Sequence, residues 1–429
     1  MASSNTPAKV TIIGAGLAGV TLALSLHKQG ISSKIYELRG PDYTFGGAIM
    51  LSPNALRVLD SLDVYSRIRN IGFNFETLTF MTDSKPDTTT GTYYFGHEKL
   101  YGYKALRIYR RVLLNELRKV AEERGIPILY HRKFTNIVSE SAEGVTFAFD
   151  ENTVETTPIL IGTDGIHSKV RKYLHPEIEP KYAGLIGLTY AFPSSTLRLP
   201  ASQPNYASQP VSIHGPLGAY VLAPQNHDGS EMFAGRQFGY PAQGRDGWDA
   251  LLKSKAELVG MLQGDMESWS DLVRSGLEQA SSAYAAETLN IWPFHSVPHF
   301  ESWASEMGKV VIIGDAAHAI PPTAGQGANQ AFEDAFSLAF LLKNVDAVKG
   351  GLEVGLARWR AYRQARIDGV MEVNDKMNSL RLTEEELKGL PEEKIWRPST
   401  DEMEGAEMMR WLYEPEIEDE MVKVLNGEA

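Results

Sequence analysis

KVTIIGAGLAGVTLALSLHKQGISSKIYEL, residues 9–38, organises the whole chain as strand, glycine-rich turn, helix, second strand and terminal acid. Val10, Thr11, Ile12 and Ile13 make a short β-branched run of the kind that forms a parallel strand buried on both faces. In the turn that follows, Gly14 permits the tight bend and Gly16 lets backbone approach a pyrophosphate, while Gly19 lets the helix pack closely on the strand. The helix, read from Leu17 to about Gln29, directs its free N–H groups and positive dipole end at that pyrophosphate, with Leu17 and Ala18 in its first turn. Gly30 stops the helix, and a second strand over residues 34–37 ends in Glu37. That acid stands about 20 residues beyond the glycines, where a carboxylate accepts both ribose hydroxyls of an adenosine and repels a 2′-phosphate. The stretch therefore reads as a dinucleotide site suited to FAD or NAD rather than NADP.

Composition narrows the function. The chain has 429 residues, enough for one large or two intertwined domains, with 43% apolar and 22% charged residues. A formal net charge of −12 argues against nucleic acid or an anionic membrane as a main partner. The chain has no cysteine, which excludes disulfides, thiolate metal sites, cysteine nucleophiles and thiol redox relays. Any redox chemistry then belongs to a bound cofactor. Residues 1–8 lack the basic start and apolar run of a signal peptide, and no stretch approaches the roughly 18 apolar residues of a membrane span. A cytoplasmic enzyme, monomer or homodimer, is expected, with no nucleic acid, integral membrane segment or metal.

Further along, residues 45–64 read as a glycine turn and a helix, and residues 75–82 as a strand. Residues 84–102, rich in Thr, Tyr, Gly and Asp, read as a surface loop or hairpin. Residues 109–125 carry Leu113, Leu117 and Val120 at helical spacing. The apolar run at 158–162 ends in Gly162, Thr163, Asp164 and Gly165, and KVVIIGDAAH from residue 309 ends in Gly314 and Asp315. Between them, residues 182–292 alternate in short segments broken by Gly, Pro and Ser, the pattern of an antiparallel sheet with a helical edge. The fold class is α/β. Its first part is residues 1–181, the inserted sheet 182–292, the second part 293–380, and an acidic helical tail 381–429.

Three segments thus return glycine and aspartate to strand ends, where open α/β sheets bind ligands. The set GAGLAG with Glu37, Arg110-x-x-Leu113, GTDGIHS at 162–168 and GDAAHAIPPTAGQGANQAFEDA at 314–335 resembles the FAD-dependent aromatic hydroxylases. These are the single-component flavoprotein monooxygenases that include salicylate hydroxylase. The resemblance implies a Rossmann-like FAD-binding domain with an inserted antiparallel-sheet substrate domain and C-terminal helices. It further implies that Gly14, Gly16 and Gly19, with Leu17 and Ala18, hold the FAD pyrophosphate, and that Glu37 holds the adenosine ribose. Gly47 and Arg110 would lie along the cofactor, with Arg111 one position away in register. Asp164 would sit beside the pyrophosphate and Asp315 on the ribityl hydroxyls. Thr163 replaces a more usual alanine, with no consequence expected. Pro321 and Pro322 fix the chain before Gly325, Gln326, Gly327, Ala328 and Asn329 open a long helix whose N-terminus suits the anionic reduced flavin.

The reaction implied is NAD(P)H- and O2-dependent hydroxylation of an aromatic or heteroaromatic small molecule through a flavin C4a-hydroperoxide. Epoxidation or rearrangement of a natural product, and a flavin-binding sensor, are the alternatives. One GxGxxG is present, and the WxWxIP signature of flavin halogenases is not. His214, Arg236 and Tyr220 in the inserted sheet are candidates to bind or deprotonate a phenol, as are Tyr190 and Tyr240. Phe238, Trp292 and Phe294 are candidate walls for an aromatic pocket.

Overall fold

The computed structural model describes residues 9–43, 46–84, 89–150, 153–200, 208–215, 217–379, 387–397 and 401–428. The N-terminal residues 1–8, Phe45 of the glycine turn and parts of the acidic tail lie outside them. Val10–Ile13 is the centre of a five-stranded parallel sheet, paired on one side with Ser33–Tyr36 and on the other with Ile159–Gly162. Val310–Ile312 and Ile128–Leu129 complete the edges. Every residue of the central strand is buried, as a continuous apolar run requires. Neighbours on both sides make the end of Val10–Ile13 a point where the connections diverge, which places a ligand crevice beyond Gly14.

Helices Leu17–Lys28, Arg110–Glu123 and Gly327–Lys343 cover this sheet. An antiparallel meander, Phe134–Ser141, Gly144–Phe149 and Val154–Thr157, packs on it through Tyr36, Phe147 and Phe149. A small sheet of Ala48–Leu51, Ala105–Tyr109 and Phe73–Phe75 leads across to the second layer.

That second layer is a seven-stranded sheet, in the order Asn290–Ser296, Lys181–Pro193, Glu231–Gly239, Gly218–Pro224, Val211–Gly215, Thr77–Thr82, Thr89–Tyr94. Its last two strands come from a region that the sequence reads as one strand and a surface loop or hairpin, and they do pair as a hairpin. Thr77–Thr82 pairs in parallel with Val211–Gly215 across more than a hundred residues of chain, and Thr89–Tyr94 closes the edge. The Thr-rich stretch has no apolar period, so only the distant partner fixes it as a strand. Helices Arg245–Lys253, Lys255–Gln263, Asp271–Glu278 and Ala283–Thr288 cover one face of this sheet, burying Ile186, Leu188, Tyr190, Tyr220 and Leu222 against Leu258, Leu262 and Leu277.

The acidic C-terminal segment is an integral part of the core. Glu402–Glu407, Arg410–Tyr413 and Ile417–Asn426 pack on the long helix Gly351–Asn378 and on the Thr89–Tyr94 strand, burying Met409, Leu412, Tyr413, Met421 and Val424. Trp411, between these buried residues, stays 41% exposed.

Candidate active site

The glycine turn is built as its spacing requires. Gly14 has φ +108, and a Cβ there would lie 2.7 Å from the Thr163 carbonyl oxygen. A Cβ on Gly19 would lie 2.0 Å from the Gly14 carbonyl oxygen, so this glycine permits helix to touch turn. Gly16 differs, because nothing stands within 4 Å of its Cβ position and it faces an open cavity. Thr163, expected to be without effect, places its hydroxyl 2.9 Å from the Ile13 carbonyl and 2.8 Å from that of Gly14, tying the next strand to the turn. Arg118, to which the sequence assigned no role, donates to the carbonyls of Ala15 (3.1 Å) and Pro41 (3.3 Å) and braces the turn from outside.

The cavity, about 910 Å³, runs from Gly14, Gly16, Leu17, Ala18 and Glu37 at the parallel sheet to Gly187, Thr189, Gly235 and Trp292 in the second sheet. Gly47, Arg110, Asp164, Asp315, Gly325, Gly327 and Ala328 line it between these ends. Arg110 begins its helix half-buried on the cavity, whereas Arg111 is exposed over the Tyr109 ring, so of the two Arg110 is the one that lines the cavity. Gly47 has φ +94, and a Cβ there would strike the Trp292 ring at 2.5 Å.

The three acids differ in what they hold. Glu37 accepts the Ala15 N–H on Oε2 (2.7 Å) and the Arg39 N–H on Oε1 (2.8 Å), which locks its carboxylate at the mouth of the turn with lone pairs to spare. Asp164 accepts from the Ser168 hydroxyl (2.5 Å) and the N–H groups of Lys169 (2.7 Å) and Val170 (3.3 Å), so its contacts within the chain are those of a turn cap. Burial pushes its pKa up, against the pull of these hydrogen bonds. Asp315 opens Asp315–His318 exposed to the cavity, with no hydrogen-bond partner among the described residues.

Asn329 and Gly19 do not line the cavity. Asn329 is fully buried as a bracket, donating to the carbonyls of Met50 (3.2 Å) and Gly325 (2.9 Å) and accepting from the Ser52 N–H (3.2 Å). It shapes the Gly325 turn, where φ is +64, and leaves the Gly327 and Ala328 end of the helix facing inward.

The substrate-sheet candidates separate by face. Tyr220 points into the helical layer, its hydroxyl 3.0 Å from that of Tyr190, and burial pushes its pKa up, away from the range of a useful base. Arg236 is among the residues lining the cavity, but its side chain belongs to the helical face, where Nη1 donates to the carbonyls of Met261 (3.1 Å), Leu262 (3.3 Å) and Gly264 (2.8 Å), capping the end of Lys255–Gln263. His214 is buried beside Ser212 and stacked on Phe80, outside the cavity lining. Of the candidate walls, Trp292 and Phe294 line the cavity, with the Trp292 indole N–H donating to Thr189 at 3.2 Å. Phe238 instead packs under Arg236. The cavity face of the sheet presents Thr189, Val221, Phe233 and Gln237, alternating with the residues that face the helices.

Comparison with known proteins gives this geometry its chemistry. The family model described as FAD binding domain matches residues 7–209 and 267–372. The 3-amino-4-hydroxybenzoate 2-monooxygenase PtmB3 of Streptomyces platensis is 28% identical over 425 residues, spanning 96% of this chain and 96% of that protein. The 6-hydroxynicotinate 3-monooxygenase of Pseudomonas fluorescens is 25% identical over 388 residues, 88% of this chain and 93% of that one. In fold, the chain is similar to CtdE crystallised with FAD and a substrate, with TM-score 0.76 at 19% identity over 98% of this chain and 99% of that one. The chain belongs to the FAD binding domain family, and it is an FAD-dependent monooxygenase of the aromatic-hydroxylase kind.

Proposed function

We propose that this enzyme hydroxylates a small aromatic or heteroaromatic compound with NAD(P)H and O2. The observation that carries the reading is the single cavity that joins the Gly16 turn to Thr189 and Trp292 of the second sheet. Gly16, Leu17 and Ala18 receive the FAD pyrophosphate on open N–H groups at a helix start, and Glu37 receives the ribose hydroxyls. Asp315, whose carboxylate has no partner among the described residues, would hold the ribityl hydroxyls, and Gly327 and Ala328, beside Gly325, would bring the free N–H groups of the helix start to the ring. Bound there, FAD supplies electron transfer and oxygen activation.

The chain's own residues do the rest. The helix start at Gly327 stabilises negative charge on the ring edge beside it. Trp292, held by Thr189 and pressed on Gly47, and Phe294 form an apolar wall that keeps water from the reacting carbon. Gln237 presents a buried Oε1 without a partner among the described residues, an acceptor for a ring hydroxyl or amino proton. Relatives named for 3-amino-4-hydroxybenzoate and 6-hydroxynicotinate support a one-ring substrate.

The test is a screen of phenols and aromatic acids, following NAD(P)H oxidation, peroxide and product mass under labelled oxygen. One labelled atom in a product, with little peroxide, is the expected result. Epoxide or rearranged products would replace the hydroxylase reading, and a colourless protein that takes up no FAD would remove it.

A further inference from the structure

Five arginines are buried among the described residues: Arg107, Arg171, Arg236, Arg363 and Arg366. Three have both terminal nitrogens engaged inside the protein, and Arg236 has its Nη1 engaged. Arg171 donates to the carbonyls of Ala316 and Ile166, and Arg236 to those of Lys255–Gln263 and Gly264. Arg363 and Arg366 pair with Glu333 and Asp334. Arg107 stands apart. It is 5% exposed, its Nε donates to Gln225 Oε1 at 3.0 Å, and its guanidinium lies 5.4 Å from the Phe233 ring centre. Among the described residues no carboxylate pairs with it, and neither Nη1 nor Nη2 has a hydrogen-bond partner.

Arg107 lines the cavity from Ala105–Tyr109, opposite Met50 in the small sheet, while Phe233 lines it from the second sheet. Burial of the residue pulls its pKa down to about 10, while Nη1 and Nη2, which are not among the fully buried unpartnered atoms, open on the cavity, where an anion would offset that burial. Gln225 lies behind Arg107, outside the cavity lining, and holds its Nε so that the Nη pair is the part of the guanidinium left for a ligand. Donors without acceptors at one place call for an acceptor-only group. The fork of Nη1 and Nη2 matches a planar carboxylate, which accepts two parallel hydrogen bonds from it.

We infer that Arg107 anchors the carboxylate of an aromatic acid in this cavity and so sets the enzyme's substrate class. The inference rests on the reading of the cavity as the site of aromatic hydroxylation. Arg107 acts here as a specificity residue, apart from the FAD-facing Arg110 three positions on in the chain. With the carboxylate held at Arg107, the Phe233 side of the sheet receives the ring, and the acid cannot turn end for end without leaving the guanidinium unpaired.

The FAD-loaded enzyme is titrated with 4-hydroxybenzoate, 3-amino-4-hydroxybenzoate and 6-hydroxynicotinate, each against its uncharged amide, by calorimetry and by the change in flavin absorbance. The acids are expected to bind about tenfold to a hundredfold more tightly than their amides, the range of charged hydrogen bonds. Arg107→Met removes that preference and leaves amide affinity and FAD content within about twofold, and Arg107→Lys keeps part of it because charge remains without the fork. Amides equal to or better than acids throughout the panel in the unmodified enzyme overturn the inference whatever the variants do. A preference retained in Arg107→Met overturns it also, and loss of FAD from that variant assigns the guanidinium to the cofactor instead. An enzyme that hydroxylates neutral phenols and rejects every acid refutes the anchor while leaving the hydroxylase reading intact.

Discussion

Asp315 and Asp164 look alike in sequence, each an acid within two residues of a glycine at a strand end, yet their surroundings separate them. Asp164 is engaged by Ser168, Lys169 and Val170, so its removal frees a turn. Asp315 stands exposed to the cavity without a partner among the described residues, so its removal costs the turn little and the ligand much. Asp315→Ala is therefore expected to weaken FAD binding about tenfold or more, the worth of a charged hydrogen bond, with thermal stability of the FAD-free protein nearly unchanged. Fluorescence titration of FAD into the stripped variant measures this. Equal affinity in variant and parent would show Asp315 to be only the start of its helix. Asp164→Asn should reverse the pattern, lowering stability while FAD content stays closer to that of the parent.

Within Gly327–Lys343, the start of the helix faces the cavity while its middle carries Glu333 and Asp334, both fully buried. Burial alone would raise these carboxyl pKa values. The guanidinium of Arg366, with that of Arg363, overcomes it at Glu333, and His318 with Arg363 does so at Asp334, holding each at about 2. Asp334 Oδ2 also accepts the Gly314 N–H at 2.9 Å, so the same acid fixes the bend that presents Asp315. Both folded values lie below the ordinary 4.5 and 3.8, so this stabilisation is present at neutral pH and is lost as pH falls from about 4.5 toward 2. Glu333→Gln should lower the neutral-pH melting temperature and flatten the loss of stability on acidification. A variant with the parent's acid limb would show that other groups set it. Arg363→Met, which leaves two buried acids short of a partner, should cost about 3–5 kcal/mol in denaturant unfolding.

At the scale of the whole molecule, the acidic C-terminal segment joins the helices of the cofactor layer to the edge of the substrate sheet. Arg366 reaches from the Glu333 cluster to the carbonyls of Trp411 (2.9 Å) and Leu412 (3.1 Å). On the other side the Tyr93 and Tyr413 hydroxyls meet at 2.6 Å, and the Tyr101 hydroxyl donates to the Ala406 carbonyl. Met409 and Leu412 alone contribute about 3–6 kcal/mol by burial, at about 1.5–3 kcal/mol each. A chain ended after Arg397 is expected to expose Phe75, Tyr93 and Phe95, bind an apolar dye and lose several kcal/mol of stability. A truncated protein that melts like the parent would show the segment to be dispensable.

The sequence by itself determined the nucleotide end of the molecule, from Gly14 to Glu37, and the return of Asp164 and Asp315 to the same crevice. These features are local: a turn glycine, a strand end and a helix start each declare themselves within a few residues. Tertiary structure alone decided which residues face the second half of the cavity. Along an alternating strand, the two faces differ only by what packs on them, so Arg236 and Tyr220 read as substrate residues until helices such as Lys255–Gln263 claim their face. Arg107 lay unnoticed among the apolar residues of ALRIY for the same reason. Nothing in its neighbourhood along the chain shows that no acid comes to meet it, because an unpaired buried charge is a property of the assembled core.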